Sequence, residues 1–143
     1  MKIRSLEKSD ETEWRRLWAG YIDFYKTEVT EDVTGPLFER LMGKGGHFGF
    51  VAEGNTGLLG FVHGLPHAST WSVKEYCYLE DLYVDPSARG QGVGRQLIEK
   101  IYEEADRRDC SRVYWHTDSG NVKARALYDT LASVSDFVQY RRG

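Results

Sequence analysis

Trp14, Leu17, Trp18, Tyr21 and Tyr25 recur at steps of three and four residues, the spacing that gathers side chains on one face of an α-helix. Ser9 and Asp10 precede the run as candidate N-caps, so the pattern predicts an amphipathic helix of about four turns. A shorter helix is expected over residues 36–42, with Pro36 at its first position, where a missing N–H costs nothing. The glycines within 43–46 end it. Alternation and branched or aromatic content predict strands over 2–5, 47–53, 58–64, 76–84 and 112–117, with a further short strand over 136–141. The turn at Gly54-Asn55 joins the second and third, and residues 65–74 are expected to form a loop. Asp85-Pro86 stops the strand that starts at Tyr76. Leu97, Ile98, Ile101, Tyr102 and Ala105 form a second helical stripe, and Asn121 caps a third with Ala124, Leu127, Tyr128 and Leu131 on one face. The order is mixed α/β, with a strand, a glycine-rich turn and a helix at its centre.

Composition narrows the class. A chain of 143 residues, 41% hydrophobic, with four Trp, nine Tyr and six Phe suits a single domain around one core spanning residues 1–143. The uncharged apolar stretches are too short to span a bilayer. Met1-Lys2-Ile3-Arg4 leads into charged residues rather than a signal-peptide run, so a cytoplasmic address is expected. A net charge of −3 argues against a nucleic-acid binder that needs a basic face. Cys77 and Cys110 form no C-x-x-C pair and read as free thiols. Between Asp23 and Glu39 lie five acids and only Lys26, the pattern of a solvated helix face and loop. His63 and His67 lack the further ligands of a metal cluster, and no metal is expected.

The informative segment is Arg89-Gly90-Gln91-Gly92-Val93-Gly94, between strand and helix. Glycines there allow a tight turn and close approach of a ligand to peptide N–H groups. The first turn of the next helix adds unpaired donors and the positive end of its dipole, which together suit a phosphate. A Walker loop requires Lys and Ser/Thr after the last glycine, but Arg95-Gln96 follow. A dinucleotide fingerprint requires glycine at the place Arg95 occupies. A glycine-rich connection without a ligand is the remaining alternative.

Arg89-x-x-Gly92-x-Gly94 resembles the acetyl-CoA pyrophosphate loop of the GNAT acetyltransferases. Upstream, the run from Tyr78 through Leu79, Glu80, Asp81, Leu82 and Tyr83 to Val84 resembles that family's fourth strand. Asn121-x-x-Ala124-x-x-Leu127-Tyr128 resembles its second cofactor motif. The Tyr-Leu-Glu-Asp string is similar to the polyamine acetyltransferases and to a yeast-type group acting on histones and polyamines. The match covers residues 76–131; residues 1–75 agree in element order only. Leu131 is followed by Ala132-Ser133 where the family usually has Gly-Phe, which leaves the later path of the chain open.

The resemblance implies a GNAT fold, a mostly antiparallel mixed sheet flanked by helices and splayed between the fourth and fifth strands. It implies acetyl-CoA as co-substrate, with backbone groups of Leu82, Tyr83 and Val84 along the pantetheine. Arg89 and the N–H groups of Gly90, Gln91, Gly92, Val93, Gly94 and Arg95 would hold the pyrophosphate, with Asn121 and Ala124 on the other side. Glu80 is implied as general base and Tyr128 as general acid in a direct transfer to a primary amine. From the residues alone, Glu80 reads equally as a solvent-facing strand position, and Tyr128 as core. By alternation, Glu80 and Asp81 should face opposite sides of the sheet. In that family the first two helices and the loop after the third strand face the acceptor, a small-molecule or peptide amine; here they would offer Tyr21, Asp23, Phe24, Tyr25, Glu28 and Trp71, and aromatics and acids suit a cation, though Tyr21 and Tyr25 serve a core equally well. A non-catalytic acyl-CoA-binding domain is the rival reading. Family members are often dimers, and residues 137–140 would supply an interface strand.

Overall fold

The computed structural model describes residues 1–44 and 46–143; Gly45, inside the expected glycine break, lies outside them. Five strands, β1 (Lys2–Ser5), β2 (Phe48–Glu53), β3 (Leu58–Ser69), β4 (Ser72–Val84) and β5 (Arg112–Tyr114), lie in sequence order across one sheet. The first four pair antiparallel, and β5 runs parallel to β4. Four helices flank them: α1 (Glu11–Phe24), α2 (Glu31–Glu39), α3 (Val93–Arg107) and α4 (Val122–Tyr128).

Each face of the sheet carries its own apolar layer. Leu97, Ile98, Ile101 and Ala105 of α3 are buried against Phe50, Ala52, Val62 and Leu79. On the opposite face Trp14, Leu17 and Trp18 of α1 and Phe38 of α2 pack on Val51 and Phe61. The β2 alternation Phe50, Val51, Ala52 sends successive residues to opposite layers, as period two requires. Burying each such large side chain contributes roughly 1.5–3 kcal/mol. Trp18 Nε1 donates to Thr34 Oγ1 at 3.2 Å, which joins α1 to α2.

Several expected elements are corrected. The second helix begins at Glu31, five residues before Pro36, which lies inside it; Glu31 and Asp32 in the first turn favour the positive end of its dipole. Asp10 does not cap α1. Its Oδ2 accepts from the backbone of Glu7 at 2.8 Å, and Arg4 grips both its oxygens at 2.8 and 2.9 Å. Residues 65–74 are not a loop but the outer half of a long β3–β4 hairpin. Pro66 is tolerated there because β2 pairs with β3 only as far as Phe48↔Gly64, so the missing N–H lies beyond the last β2 pair. The expected strand over 136–141 does not form, and Phe137, Val138 and Tyr140 are exposed. The fifth strand stops at Tyr114 rather than 117, because Trp115 packs on Tyr102 of α3 and Tyr128 of α4, with ring centroids 6.3 and 5.4 Å away.

That early stop sets the site. Strand β5 pairs with β4 only at Tyr76↔Arg112, Cys77↔Val113 and Tyr78↔Tyr114, while β4 continues to Val84. From Glu80 onward the β5 side of β4 has no partner strand, and the sheet splays.

Candidate active site

A cleft of about 570 Å³ occupies the splay. Its floor is the unpartnered end of β4, where Glu80, Leu82, Tyr83 and Val84 line it. One end is closed by the glycine turn. Arg16 of α1 and Ser87 both bond Asp85, at 2.7 Å from Nη1 and 2.9 Å from the backbone N–H, and they hold its carboxyl down at about 2. This clamp fixes the short turn Pro86–Ala88 that leads into the glycines. Gly90 and Gly92 take φ of +78° and +80°, a left-handed conformation that only glycine adopts without strain. No atom lies within 4 Å of where their Cβ atoms would stand, so the turn is open above its backbone. Gly92, Gly94, Val93 and Arg95 line the cleft with Gly90 and Arg89; the first N–H groups of α3 therefore open on it.

Arg89 folds back so that its Nε donates to the Val84 carbonyl at 3.1 Å, and its guanidinium lies 5.7 Å from the Tyr83 ring. Arg95 is held by Thr130 Oγ1 at 2.8 Å. The opposite wall is α4. Asn121 caps it by accepting from the Ala124 N–H at 3.3 Å, and Asn121, Ala124 and Tyr128 all line the cleft. The third wall is the end of α1, with Tyr21, Phe24 and Tyr25. A Cβ on Gly20 would stand 2.6 Å from the Tyr83 hydroxyl, so glycine there lets α1 lie close over β4.

Not all expected residues arrive. Gln91 does not line the cleft, and neither do Asp23 and Glu28, which are exposed. Trp71 is 90% exposed at the tip of the β3–β4 hairpin; the reading that placed it beside the acceptor took the hairpin for a loop. Leu79, Ala88, Trp115, His116, Thr117, Lys123 and Leu127 were missed and line the cleft. For Trp115, His116 and Thr117 a signal existed, since ligands gather beyond the carboxyl ends of parallel strands.

The expectation that Glu80 and Asp81 face opposite ways is also corrected. His63 pairs with Asp81 and Gly64 with Leu79, which leaves Glu80 as an extra residue, a β-bulge. The bulge reverses the phase of the strand. Cys77 and Leu79 before it, and Leu82 and Val84 after it, all pack on the α3 layer. Asp81 and Tyr83 therefore turn towards α1, where Asp81 Oδ1 accepts from the Tyr21 hydroxyl at 2.8 Å and Oδ2 contacts His63 Nδ1 at 2.9 Å.

The electrostatics separate the two carboxylates. Glu80 is open to solvent on the cleft side, yet the surrounding protein, and then the charge of Asp81, raise its pKa above the usual carboxylate range. Burial, then the nearby Tyr25, raises the Tyr128 hydroxyl, which keeps it protonated near neutrality. Burial and the Asp81 charge push Tyr21 up further. Burial also drives the Cys77 thiol up to about 11; with neither cysteine lining the cleft, no thiolate nucleophile is at hand. Among the described residues no group of three or more His, Cys, Asp or Glu is placed to hold a metal ion, and no helix is long and apolar enough to cross a membrane. The geometry thus offers an anion cradle, an extended strand edge, a carboxylate of raised pKa and a protonated phenol on a facing wall.

Known proteins share the fold and a family model. The model of the Acetyltransferase (GNAT) family matches residues 7–132. The D-amino-acid N-acetyltransferase of Saccharomyces cerevisiae is 39% identical over 145 residues, spanning 98% of this chain and 89% of that protein. Thialysine N-epsilon-acetyltransferase of Sus scrofa is 43% identical over 65 residues, 46% of this chain and 38% of that protein. Among solved structures, the ribosomal-protein-alanine N-acetyltransferase from Brucella melitensis biovar Abortus 2308 superposes with a TM-score of 0.81 at 22% identity, over 100% of this chain and 99% of that one. AAC(6')-Iy in complex with the bisubstrate analogue CoA-S-monomethyl-acetylneamine gives 0.84 at 20% identity, over 99% and 97%. At such identities the structural likeness speaks for the fold.

Proposed function

The chain belongs to the GNAT acetyltransferase family, and on that premise we propose that it carries an acetyl group from acetyl-CoA directly to the primary amine of a cationic acceptor. The observation that carries this reading is the single cleft that joins an open glycine cradle, the free edge of β4, Glu80 and Tyr128. The residues present fit the cofactor: Gly90 and Gly92 expose backbone where a Cβ would meet nothing, and α3 points its N-terminus into the cleft. Peptide N–H groups from Gly90 to Arg95 would hold the pyrophosphate, and Leu82 and Val84 the extended arm, with Asn121 and Ala124 across from them. Bound acetyl-CoA supplies an activated thioester.

Glu80 takes the proton that an alkylammonium must lose before its nitrogen can attack, since such amines have a pKa of about 10.4. Tyr128, across the cleft, keeps a proton available for the departing sulfur. Phe24 and Tyr25 give the acceptor an aromatic wall suited to a cation. The relatives named for D-amino acids and for thialysine favour small amino-acid-like amines, with polyamines and lysine side chains in the same chemical class.

The test is release of CoA thiol from acetyl-CoA with spermidine, histone-tail peptides, D- and L-amino acids and aminoglycosides. Turnover above background hydrolysis with at least one cationic amine is expected. Silence across the panel would overturn the reading. The cradle has its own test. Alanine at Gly92 pays about 1–2 kcal/mol for the left-handed conformation of the cradle; the free turn of Gly92→Ala is expected to relax out of it, so that binding must restore it and acetyl-CoA affinity falls about tenfold, as measured by titration calorimetry.

A further inference from the structure

The transfer just described leaves Asp81 without a task, although it is the acid that the bulge brings beneath α1. What Asp81 holds is Tyr21. The hydrogens in this cluster can be assigned from chemistry alone. Indole Nε1 donates and cannot accept, so the 3.1 Å bond from Trp14 to His63 Nε2 makes that ring nitrogen the acceptor. The neutral imidazole then carries its hydrogen on Nδ1 and donates it to Asp81 Oδ2 at 2.9 Å. The other carboxylate oxygen takes the Tyr21 hydroxyl hydrogen at 2.8 Å. His63 is 1% exposed and the Asp81 side chain 14%, so water has little access to these bonds.

A phenol whose one hydrogen is committed to a carboxylate can only accept from any other neighbour. Tyr21 lines the same cleft as Glu80 and Tyr128. We propose that Tyr21, its hydrogen locked onto Asp81, is the hydrogen-bond acceptor that orients the attacking amine, and that Asp81 and His63 are positioning residues acting through it. The inference rests on the amine transfer proposed above and adds a rule of selection to it. An amine or ammonium offers N–H donors, which the Tyr21 oxygen accepts; a carboxylate or carbonyl oxygen needs a donor, which Tyr21 cannot give. For an acceptor that carries both an amine and a carboxylate, the cluster turns the amine inward and the carboxylate away. Tyr25, with its ring centroid 5.1 Å from that of Tyr21, is the neighbouring phenol and itself hydrogen-bonds Tyr21, but it makes no bond to Asp81.

The test is steady-state kinetics with the preferred amine, together with melting temperature. Tyr21→Phe keeps the ring contacts with Trp18 and Phe61, at 5.6 and 5.7 Å, so the fold should hold. Its amine KM is expected to rise about tenfold, as for a lost hydrogen bond to a charged group, with kcat within about threefold and the acetyl-CoA KM unchanged. In Asp81→Asn the amide oxygen stays on the His63 Nδ1–H, whose direction Trp14 fixes. The amide NH2 then faces the Tyr21 oxygen and turns the phenol hydrogen into the cleft. The amine KM should rise about tenfold or more, and the double variant should be no worse than the poorer single one, because both act at one oxygen. Additive losses in the double variant would overturn the inference. So would an unchanged amine KM in Tyr21→Phe, or a rise confined to Tyr25→Phe, or losses shared equally with the acetyl-CoA KM. A wild type that acetylates no amine would overturn the proposed function and this inference together, whereas an active wild type with any of those results overturns this inference alone.

Discussion

Glu80→Gln is expected to lower kcat/KM for the amine by about 10²–10³-fold near neutral pH, within the usual range for loss of a general base. The amide matches the carboxylate in shape and keeps the bulge geometry, but it cannot take a proton from the ammonium. The deficit should shrink as pH rises, because an amine with a pKa of about 10.4 increasingly arrives deprotonated and needs no base. The sign on the acid side follows from the shift. A base works when ionised, so wild-type activity falls as pH drops through the Glu80 pKa. Protein around Glu80, and then the charge of Asp81, place that pKa above the ordinary carboxylate range. The acid limb should therefore lie at higher pH than a free carboxylate would give, and in the variant it should be replaced by a steady rise that follows deprotonation of the amine. A pH–rate profile of both proteins reads all of this. An inflection that persists in Glu80→Gln at the wild-type position would assign it to another group.

Tyr128→Phe is expected to lower kcat about 10²-fold with little change in either KM. The ring, which packs on Trp115 with centroids 5.4 Å apart, is retained, so the loss is confined to the hydroxyl. A general acid matters in proportion to how poorly its leaving group departs. Thioesters of more acidic thiols should therefore narrow the gap between variant and wild type. A tyrosine that only filled the wall would slow every thioester equally. The same measurement separates Tyr128 from Tyr21, whose loss falls on the amine KM.

Much of the architecture was legible because it follows from local periodicity. The α1 stripe, the α3 stripe and the strands around the glycine turn each repeat their apolar residues at the spacing of the element they form. Pro36 misled because it lies inside a helix that starts at Glu31, not at the first position where proline is most favourable. The hairpin over 65–74 was hidden by Pro66, whose acceptability depends on where β2 stops pairing with β3, a fact of tertiary structure. Trp71 and Glu28 were assigned to the acceptor wall from the elements that form it in the resembled family, and element order carries no information about which way a hairpin tip or a loop projects.

By itself the sequence determined most of the order of elements, the glycine cradle and the Asn121 cap, because each depends on backbone preferences of a few neighbouring residues. It also carried the motifs that mark the family. Only the tertiary structure decided where β5 leaves β4, since that depends on Trp115 finding Tyr102 and Tyr128. Only the tertiary structure decided that Glu80 is the bulged residue, because a bulge is a mismatch of register between two strands and exists in neither alone. That one extra residue places Asp81 beneath Tyr21, and so it gives two neighbouring carboxylates different surroundings, Glu80 open on the cleft and Asp81 bonded to a phenol and an imidazole.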